Sequence, residues 1–399
     1  MSRVIVVGGG AAGMMAAIVA ARAHEVILVE KNETLGKKLL LTGGGRCNLT
    51  SSISIDDFFE KIPRNKKFLF SAFKNFNNKD LINFFESEGN IKFKSEGIKV
   101  YPKSDSAKDI LEEMILMMKK HNVKIMTNKK VVDFDLEKKE LIFDNKEKLV
   151  SDYIVFSTGG ATYAATGSDG KITRILKDKG LDVKPMRGSL KSIIIENPWT
   201  DASGISIENV SLSLVNKKGK LKKEIKDSIV ITHRGISGPA ALNMSSYMID
   251  DQELELYIDF LPQVTSDEII SILKNEGKKQ VSNIIKQLLP IGIIKEILSN
   301  SILEKRSLDL TKEDEKSIIE GIKHLKIQIS KDFFTTEGMV TAGGISVKEV
   351  NPSTMESKKF KGVYFCGEML DLDAETGGYN LQIAFSTAYL CGRSISLEK

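Results

Sequence analysis

The stretch Val4-Ile5-Val6-Val7-Gly8-Gly9-Gly10-Ala11-Ala12-Gly13 constrains the fold of this chain more than any other. A short β-branched run leads into Gly8-x-Gly10-x-x-Gly13. A small-residue helix is expected from Met14 to Ala23, and a second apolar strand, Glu25 to Val29, ends at Glu30. Strand, glycines, helix, strand and an acid about twenty residues on form the fingerprint of a Rossmann dinucleotide site. Gly8 permits a tight turn, Gly10 lets a pyrophosphate approach the backbone, and Gly13 brings helix and strand close. The segment Gly8 to Gly13, Ala11 and Ala12 included, ends at a helix N-terminus whose unpaired N–H groups and positive dipole end attract phosphate. Glu30 would accept hydrogen bonds from ribose hydroxyls and repel a 2′-phosphate, so the pattern suits FAD or NAD better than NADP.

Val4 to Ala21 carries no charge and could pass for a membrane span or a signal peptide. Three consecutive glycines break such a helix, no small-residue cleavage site follows, and Arg22 leads directly into another strand. No membrane association is therefore expected. At 399 residues the chain can hold two or three domains. Its net charge of +5 is spread over a lysine-rich surface, without the arginine tracts or aromatic–basic interleaving of a nucleic-acid groove. Nucleic acid is accordingly not the expected partner; a small molecule is. The three cysteines (Cys47, Cys366, Cys391) lack CxxC spacing, which argues against a disulfide framework or zinc cluster and fits a cytoplasmic protein. The four histidines are scattered, so no metal site is expected.

The expected fold class is α/β, a Rossmann domain interrupted by insertions. A polar, mainly helical excursion covers Ile55 to Glu88, and Asp105 to Lys120 reads as an amphipathic helix. Strands Lys130 to Asp135 and Glu140 to Phe143 follow, then an apolar strand from Tyr153 runs into Gly159-Gly160. Short β-like runs dominate 190–261, and helical periodicity dominates 262–333, before the glycine-rich style returns. The reading is a discontinuous nucleotide-binding domain, 1–189 with 334–399, carrying an inserted β-rich domain (190–261) and a helical one (262–333).

Near the carboxyl terminus Gly362-Val363-Tyr364-Phe365-Cys366-Gly367-Glu368 is a strand delivering an acid, and Thr376-Gly377-Gly378-Tyr379-Asn380-Leu381-Gln382 opens a final helix. The acid can bind a polyol chain. The helix N-terminus near Gly378 to Leu381 can stabilise negative charge on a reduced isoalloxazine ring.

These blocks, with Gly43-Gly44-Gly45-Arg46-Cys47-Asn48-Leu49-Thr50, Thr232-His233-Arg234-Gly235-Ile236-Ser237-Gly238-Pro239 and Thr341-Ala342-Gly343-Gly344-Ile345, resemble the BaiN-like or YhiN-like NAD(P)/FAD-dependent oxidoreductases, also called the aminoacetone oxidase family. The resemblance spans essentially the whole chain. It implies a glutathione-reductase-type FAD domain, an inserted β-barrel-like domain, a small helical domain and tightly bound, non-covalent FAD. It implies Lys31 and Lys38 beside the adenine end, Val132 touching adenine through its backbone, and Gly45, Arg46, Cys47 and Asn48 near the flavin. Gly159 and Gly160 would close over the dinucleotide, Gly367 and Glu368 would meet the ribityl and pyrophosphate region, and Asn380 and Leu381 the ring. Glu368 stands where many related flavoproteins carry Asp.

Cys47 has no second cysteine nearby, which disfavours dithiol chemistry and makes it a packing residue or ring contact. His233 is a candidate substrate-side proton donor or anion clamp, or a residue that pins its loop. Tyr379 is a candidate proton donor at the flavin, or packs against it. No second strand–GxGxxG–helix lies between residues 160 and 340, so NAD(P)H would bind only transiently. The expected activity is NAD(P)H-dependent reduction of an activated C=C or carbonyl. The alternatives are a flavin amine oxidase using oxygen, a tRNA-modifying flavoprotein and a non-catalytic redox sensor.

Overall fold

A parallel strand covered on both faces needs a near-continuous apolar run, and β1 (Arg3–Val7) is buried from Val4 onward. In the computed structural model, which describes residues 1–399 apart from Gln252, Thr336, Glu337 and Lys399, α1 (Ala11–Ala20) and β2 (Glu25–Val29) follow. Then come β3 (Lys124–Met126), β4 (Tyr153–Phe156), β5 (Val363–Phe365) and the closing helix α2 (Tyr379–Leu397). The strands pair in parallel in the order β5-β4-β1-β2-β3. The order reverses at β1, with β2 and β3 on one side and β4 and β5 on the other. Such a switch point opens a crevice at the carboxyl ends of the strands.

Helix α1 begins three residues before the expected Met14 because Gly10, extended at φ −81° and ψ −175°, is already its N-cap. Its alanines allow α2 to lie unusually close: a Cβ on Gly392 would sit 2.8 Å from the Ala16 carbonyl oxygen. The Ser396 hydroxyl donates to the Val19 carbonyl at 3.1 Å, and His24 Nε2 lies 2.9 Å from the Ile395 carbonyl. The two distant ends of the polypeptide therefore share one core.

The chain divides into two compact units, Met1–Gly188 with Met339–Lys399, and Ser189–Gly338. In the first, the expected helix from Asp105 starts later, at Ala107, because Asp105 turns through φ +55° and bonds Arg46 and Lys94. Strands Val131–Asp135, Glu140–Phe143 and Lys148–Val150 form a separate antiparallel meander.

In the second unit six strands pair antiparallel in the order Ile193–Ile194, Gly235–Ser237, Leu221–Thr232, Ser206–Val215, Glu255–Asp259, Leu325–Ile327. The Glu196 amide donates to the Gln328 carbonyl and the Ser330 amide to the Ile194 carbonyl, each at 2.9 Å, joining the first and last strands of that order. The segment read as helical thus also supplies a strand, since Leu325, Ile327 and Ile329 alternate with polar residues. Its helices include Ser266–Asn275 and Lys312–Lys323, each opened by a capping box, at Thr265 with Glu268 and at Thr311 with Asp314. No helix among the described residues is long and apolar enough to cross a membrane.

Candidate functional site

The carboxyl ends of β1, β2, β4 and β5 lie along one edge of the parallel sheet, and each delivers part of the site. After β1, the Gly8 amide donates to the Val29 carbonyl at 2.8 Å and Gly8 turns through φ +107°. A Cβ on Gly13 would sit 1.8 Å from the Gly8 carbonyl oxygen, so only glycine permits this approach of helix to strand. At Gly10 the situation is opposite: apart from its chain neighbours, no atom of the described residues lies within 4 Å of an added Cβ. The helix that starts there has no side-chain cap and no acid in its first turn. Its first N–H groups lack intrahelical acceptors, and the open space at Gly10 gives them the geometry that can receive an anion.

Glu30, at the end of β2, is 8% exposed. Its Oε2 accepts from the Gly9 amide at 2.7 Å, and its Oε1 from the Asn32 amide at 2.8 Å and the Asn32 side chain at 2.7 Å. The carboxylate is thereby fixed beside the glycine turn. Lys31 pairs with Asp169 at 2.9 Å. Asp169 stays below the usual carboxylate range: burial pushes its pKa up, but Lys31 and the Lys171 amide outweigh burial. Val132 is 39% exposed and occupies a bulge between the Val131–Phe143 and Asp133–Ile142 pairs. The nearby Lys129 amide donates to the Glu30 carbonyl at 3.0 Å, which brings this meander to the end of β2.

Glu368, just after β5, is an ion-pair partner of Lys38 at 2.6 Å and also accepts from the Thr341 amide at 2.9 Å and the Thr162 hydroxyl at 3.3 Å. The structure therefore separates two lysines that the resemblance puts side by side: Lys31 stays with the β2 turn, while Lys38 goes to the β5 end. Gly160 packs on Thr341, whose hydroxyl would be 2.1 Å from a Cβ there, and the Gly159 turn at φ +74° lies beside Ser168. A Cβ on Gly367 would meet Ala12 Cβ at 2.7 Å, so β5 and the start of α1 touch.

The Gly43–Thr50 loop packs against the start of α2. A Cβ on Gly378 would lie 2.6 Å from the Thr50 carbonyl, and the Thr50 hydroxyl donates to Gln382 Oε1 at 2.7 Å. With its amide turned so that both groups are satisfied, Asn48 donates to the Thr50 carbonyl and accepts from the Gly378 amide, at 3.1 Å each. Gly45 turns at φ +89°. Arg46 reaches away to Glu96 and Asp105, and its guanidinium lies 4.2 Å from the centre of the Tyr101 ring. Asn380 latches onto its own approach loop, accepting from the Ala374 amide and donating to the Ala374 carbonyl. Leu381 is half-buried against the core. Tyr379 is 2% exposed with its ring edge-on to Phe58 at 4.7 Å, and burial pushes its phenol pKa up. The structure thus makes Tyr379 a core ring.

Cys47 is fully buried in a left-handed turn at φ +59°, and burial pushes its thiol up to about 12. A neutral thiol is a small hydrophobe and a poor nucleophile. Iodoacetamide at pH 8 should label Cys47 only after unfolding; labelling of the native protein at the rate of a free thiol would contradict this. The sign of the linkage is set too: the contribution of this thiol to stability is intact below the ordinary value near 9 and is lost as pH rises toward about 12.

His233 belongs to the second unit, exposed in the turn between strands Leu221–Thr232 and Gly235–Ser237, with no hydrogen bond among the described residues. Its neighbour Arg234 faces Asp332 at 3.6 Å. Sequence reasoning did not find Asn32, Thr162, Ser168, Asp169 or Thr341. Their partners lie on distant segments, as Lys31 and Asp169 do, and neither spacing nor composition links such residues.

The chain matches the HI0933-like protein Rossmann domain over residues 2–394. It belongs to that family. The resemblance carried by the Gly43–Thr50 and Cys366–Gln382 blocks is borne out. Over 382 residues, 93% of this chain and 92% of the relative, it is 28% identical to a 3-dehydro-bile acid delta(4,6)-reductase of Clostridium scindens. Over 383 residues, 94% of this chain and 93% of the relative, it is 28% identical to a ribosomal RNA dihydrouridine synthase of Haemophilus influenzae. Among solved structures it shares the fold of 3-ketosteroid-delta4-(5alpha)-dehydrogenase from Rhodococcus jostii. There the TM-score is 0.52 at 14% identity, covering 100% of this chain and 97% of that one.

Proposed function

We propose that this protein is an FAD-dependent oxidoreductase that reduces a carbon–carbon double bond conjugated to a carbonyl, taking its hydride from NAD(P)H. The observation that carries the reading is the common strand edge, where Gly8–Gly13, Glu30, Gly159–Gly160 and Glu368 come from both ends of the chain. The residues fit a dinucleotide with a polyol arm. Gly10 leaves open space before the backbone, and beside Gly159 the buried Ser168 hydroxyl has no hydrogen-bond partner among the described residues.

In this reading the N–H groups opening α1 hold the pyrophosphate, Glu30 the adenosine ribose, the Val132 bulge the adenine, and Glu368 with Lys38 the polyol. The start of α2, Gly378 to Leu381, presents its positive dipole end to the ring. When bound, FAD would supply two-electron hydride chemistry. The protein's own contribution is to bind and orient, and to keep water from the reacting atoms. His233 is the proposed substrate-side proton donor, and the 190–261 and 262–333 segments are proposed as barrel-like and helical parts of the insertion.

The relatives' names support the bond type. A bile-acid reductase and a dihydrouridine synthase both saturate a C=C beside a carbonyl, since the C5=C6 bond of uracil is conjugated to C4=O. One feature favours an RNA-borne uracil over a free enone. The hairpin of the second unit carries lysines at 217, 218, 220, 222, 223 and 226. Glu253 neutralises Lys217 and Glu224 faces Lys226, whereas Lys218, Lys220 and Lys222 are exposed with no ion pair among the described residues.

The purified protein should be yellow and release FAD on denaturation, and anaerobic mixing with NADH or NADPH should bleach it. Re-oxidation by a 3-oxo-4-ene steroid or by uridine-containing RNA then separates the two substrates, RNA binding being expected to fall steeply with salt. A colourless protein that refuses FAD ends the proposal.

A further inference from the structure

The loop after β4 does more than end a strand. Residues Tyr163 to Gly170 run from the Gly159–Gly160 turn to the helix Lys171–Asp178, and they are tied to the far side of the site. Asn32 Nδ2 donates to the Thr166 carbonyl at 3.0 Å, and Lys31 pairs with Asp169 at 2.9 Å. The fit is close, because a Cβ on Gly167 would lie 2.7 Å from Asn32 Nδ2 and 3.0 Å from Lys31 Cε. Between these ties sits Ser168, 6% exposed, whose Oγ has no hydrogen-bond partner among the described residues. A Cβ on Gly159 would be 2.9 Å from that oxygen and 3.9 Å from Glu368 Oε2. The segment therefore reaches from the end of β2 to the ends of β4 and β5, three strand spacings or roughly 14 Å.

A buried hydroxyl left unpaired is costly, and native structures rarely leave one without a reason. Here the surroundings supply one. The three carboxylates of this corner are engaged: Glu30 by Gly9 and Asn32, Glu368 by Lys38 and Thr341, Asp169 by Lys31. Ser168 keeps its donor and acceptor capacity, at the point lined by the Gly159 turn and Glu368.

We infer that residues 163–170 form a strap across the cofactor cradle, that the Ser168 hydroxyl is a cofactor-binding group hydrogen-bonding a phosphate or polyol oxygen of FAD, and that the Lys31–Asp169 pair latches the strap. The inference rests on the FAD reading above. Both ties are remote from the reacting end, so the strap governs retention of the cofactor rather than the rate of chemistry.

The test is made on the full chain with Ser168→Ala, Lys31→Met, Asp169→Asn and the Lys31→Met/Asp169→Asn pair. FAD dissociation is followed by the rise of free-flavin fluorescence, and melting of the cofactor-free protein is measured separately. For Ser168→Ala, FAD should leave about tenfold faster, while the cofactor-free protein melts at the same temperature or higher, since an unpaired buried hydroxyl has been removed. A merely structural serine predicts the reverse pair of results. Each latch variant should speed release by a few-fold, and the double variant no more than either alone. Unchanged release from Ser168→Ala, or a drop in its cofactor-free melting temperature, overturns the assignment of Ser168 with the FAD reading intact. Additive latch effects overturn the latch. Wild-type protein that binds no FAD overturns both this inference and that reading.

Discussion

Gly10→Val is expected to give a folded protein that no longer holds its cofactor. The side chain enters the open space at the mouth of the cradle, where, chain neighbours aside, no atom of the described residues lies within 4 Å of its Cβ. Backbone angles of φ −81° and ψ −175° suit a β-branched residue. The fold loses only a neutral N-cap, about 1 kcal/mol or less. The nucleotide loses its path to the N–H groups of α1, and affinity for FAD should fall by at least about a hundredfold, the equivalent of roughly 3 kcal/mol. Gly13→Ala provides the contrast. Its methyl would overlap the Gly8 carbonyl at 1.8 Å and crowd the Ser157 hydroxyl at 2.6 Å, so stability and cofactor should be lost together. Denaturant midpoints and fluorometric titration separate the two outcomes. A yellow Gly10→Val protein with wild-type affinity would show that the pyrophosphate does not lie there.

Arg64→Met should be among the most destabilising substitutions in the first unit. Arg64 pairs with Asp373, whose side chain is fully buried, and its own side chain is 14% exposed. Removing the cation leaves a carboxylate in the interior, at a cost of about 3–5 kcal/mol. The pair also holds the loop that leads into α2. Asn65 donates to the Asp371 carbonyl at 2.8 Å, the Glu375 amide donates to the Lys61 carbonyl at 2.9 Å, and Lys61 faces Glu375 at 3.3 Å. Release of this loop should therefore weaken FAD retention as well. Arg64→Met/Asp373→Leu should recover much of the loss, since the penalty lies in the unpaired charge. A single-variant cost below about 1 kcal/mol would mean that Asp373 finds water or another cation.

Much of the geometry around the glycine turn was legible in the sequence because its signals are local. The glycine spacing after β1 reports a turn, an open approach and a close helix contact, and each follows from the missing side chain alone. Glu30 could be read because the distance from the glycines to the end of β2 is set by one helix and one strand. The β5 acid and the glycines opening α2 were readable for the same reason. Element boundaries were less so: α1 begins at Ala11, right after its extended N-cap Gly10, and the strand Leu325–Ile327 hides at the end of a helical stretch because three residues are too few for a clear period.

The sequence by itself determined that the chain opens with the strand–glycine–helix–strand–acid unit of a Rossmann domain, since those properties reside within one βαβ segment. Only the tertiary structure decided which charges meet: Lys38 with Glu368, Lys31 with Asp169, Arg46 with Glu96 and Asp105, Arg64 with Asp373. Lysine and arginine carry the same charge wherever they stand, and partners are chosen by how distant strands dock. The same docking buries the Cys47 thiol and the Tyr379 ring, because burial belongs to neighbours that no local pattern names.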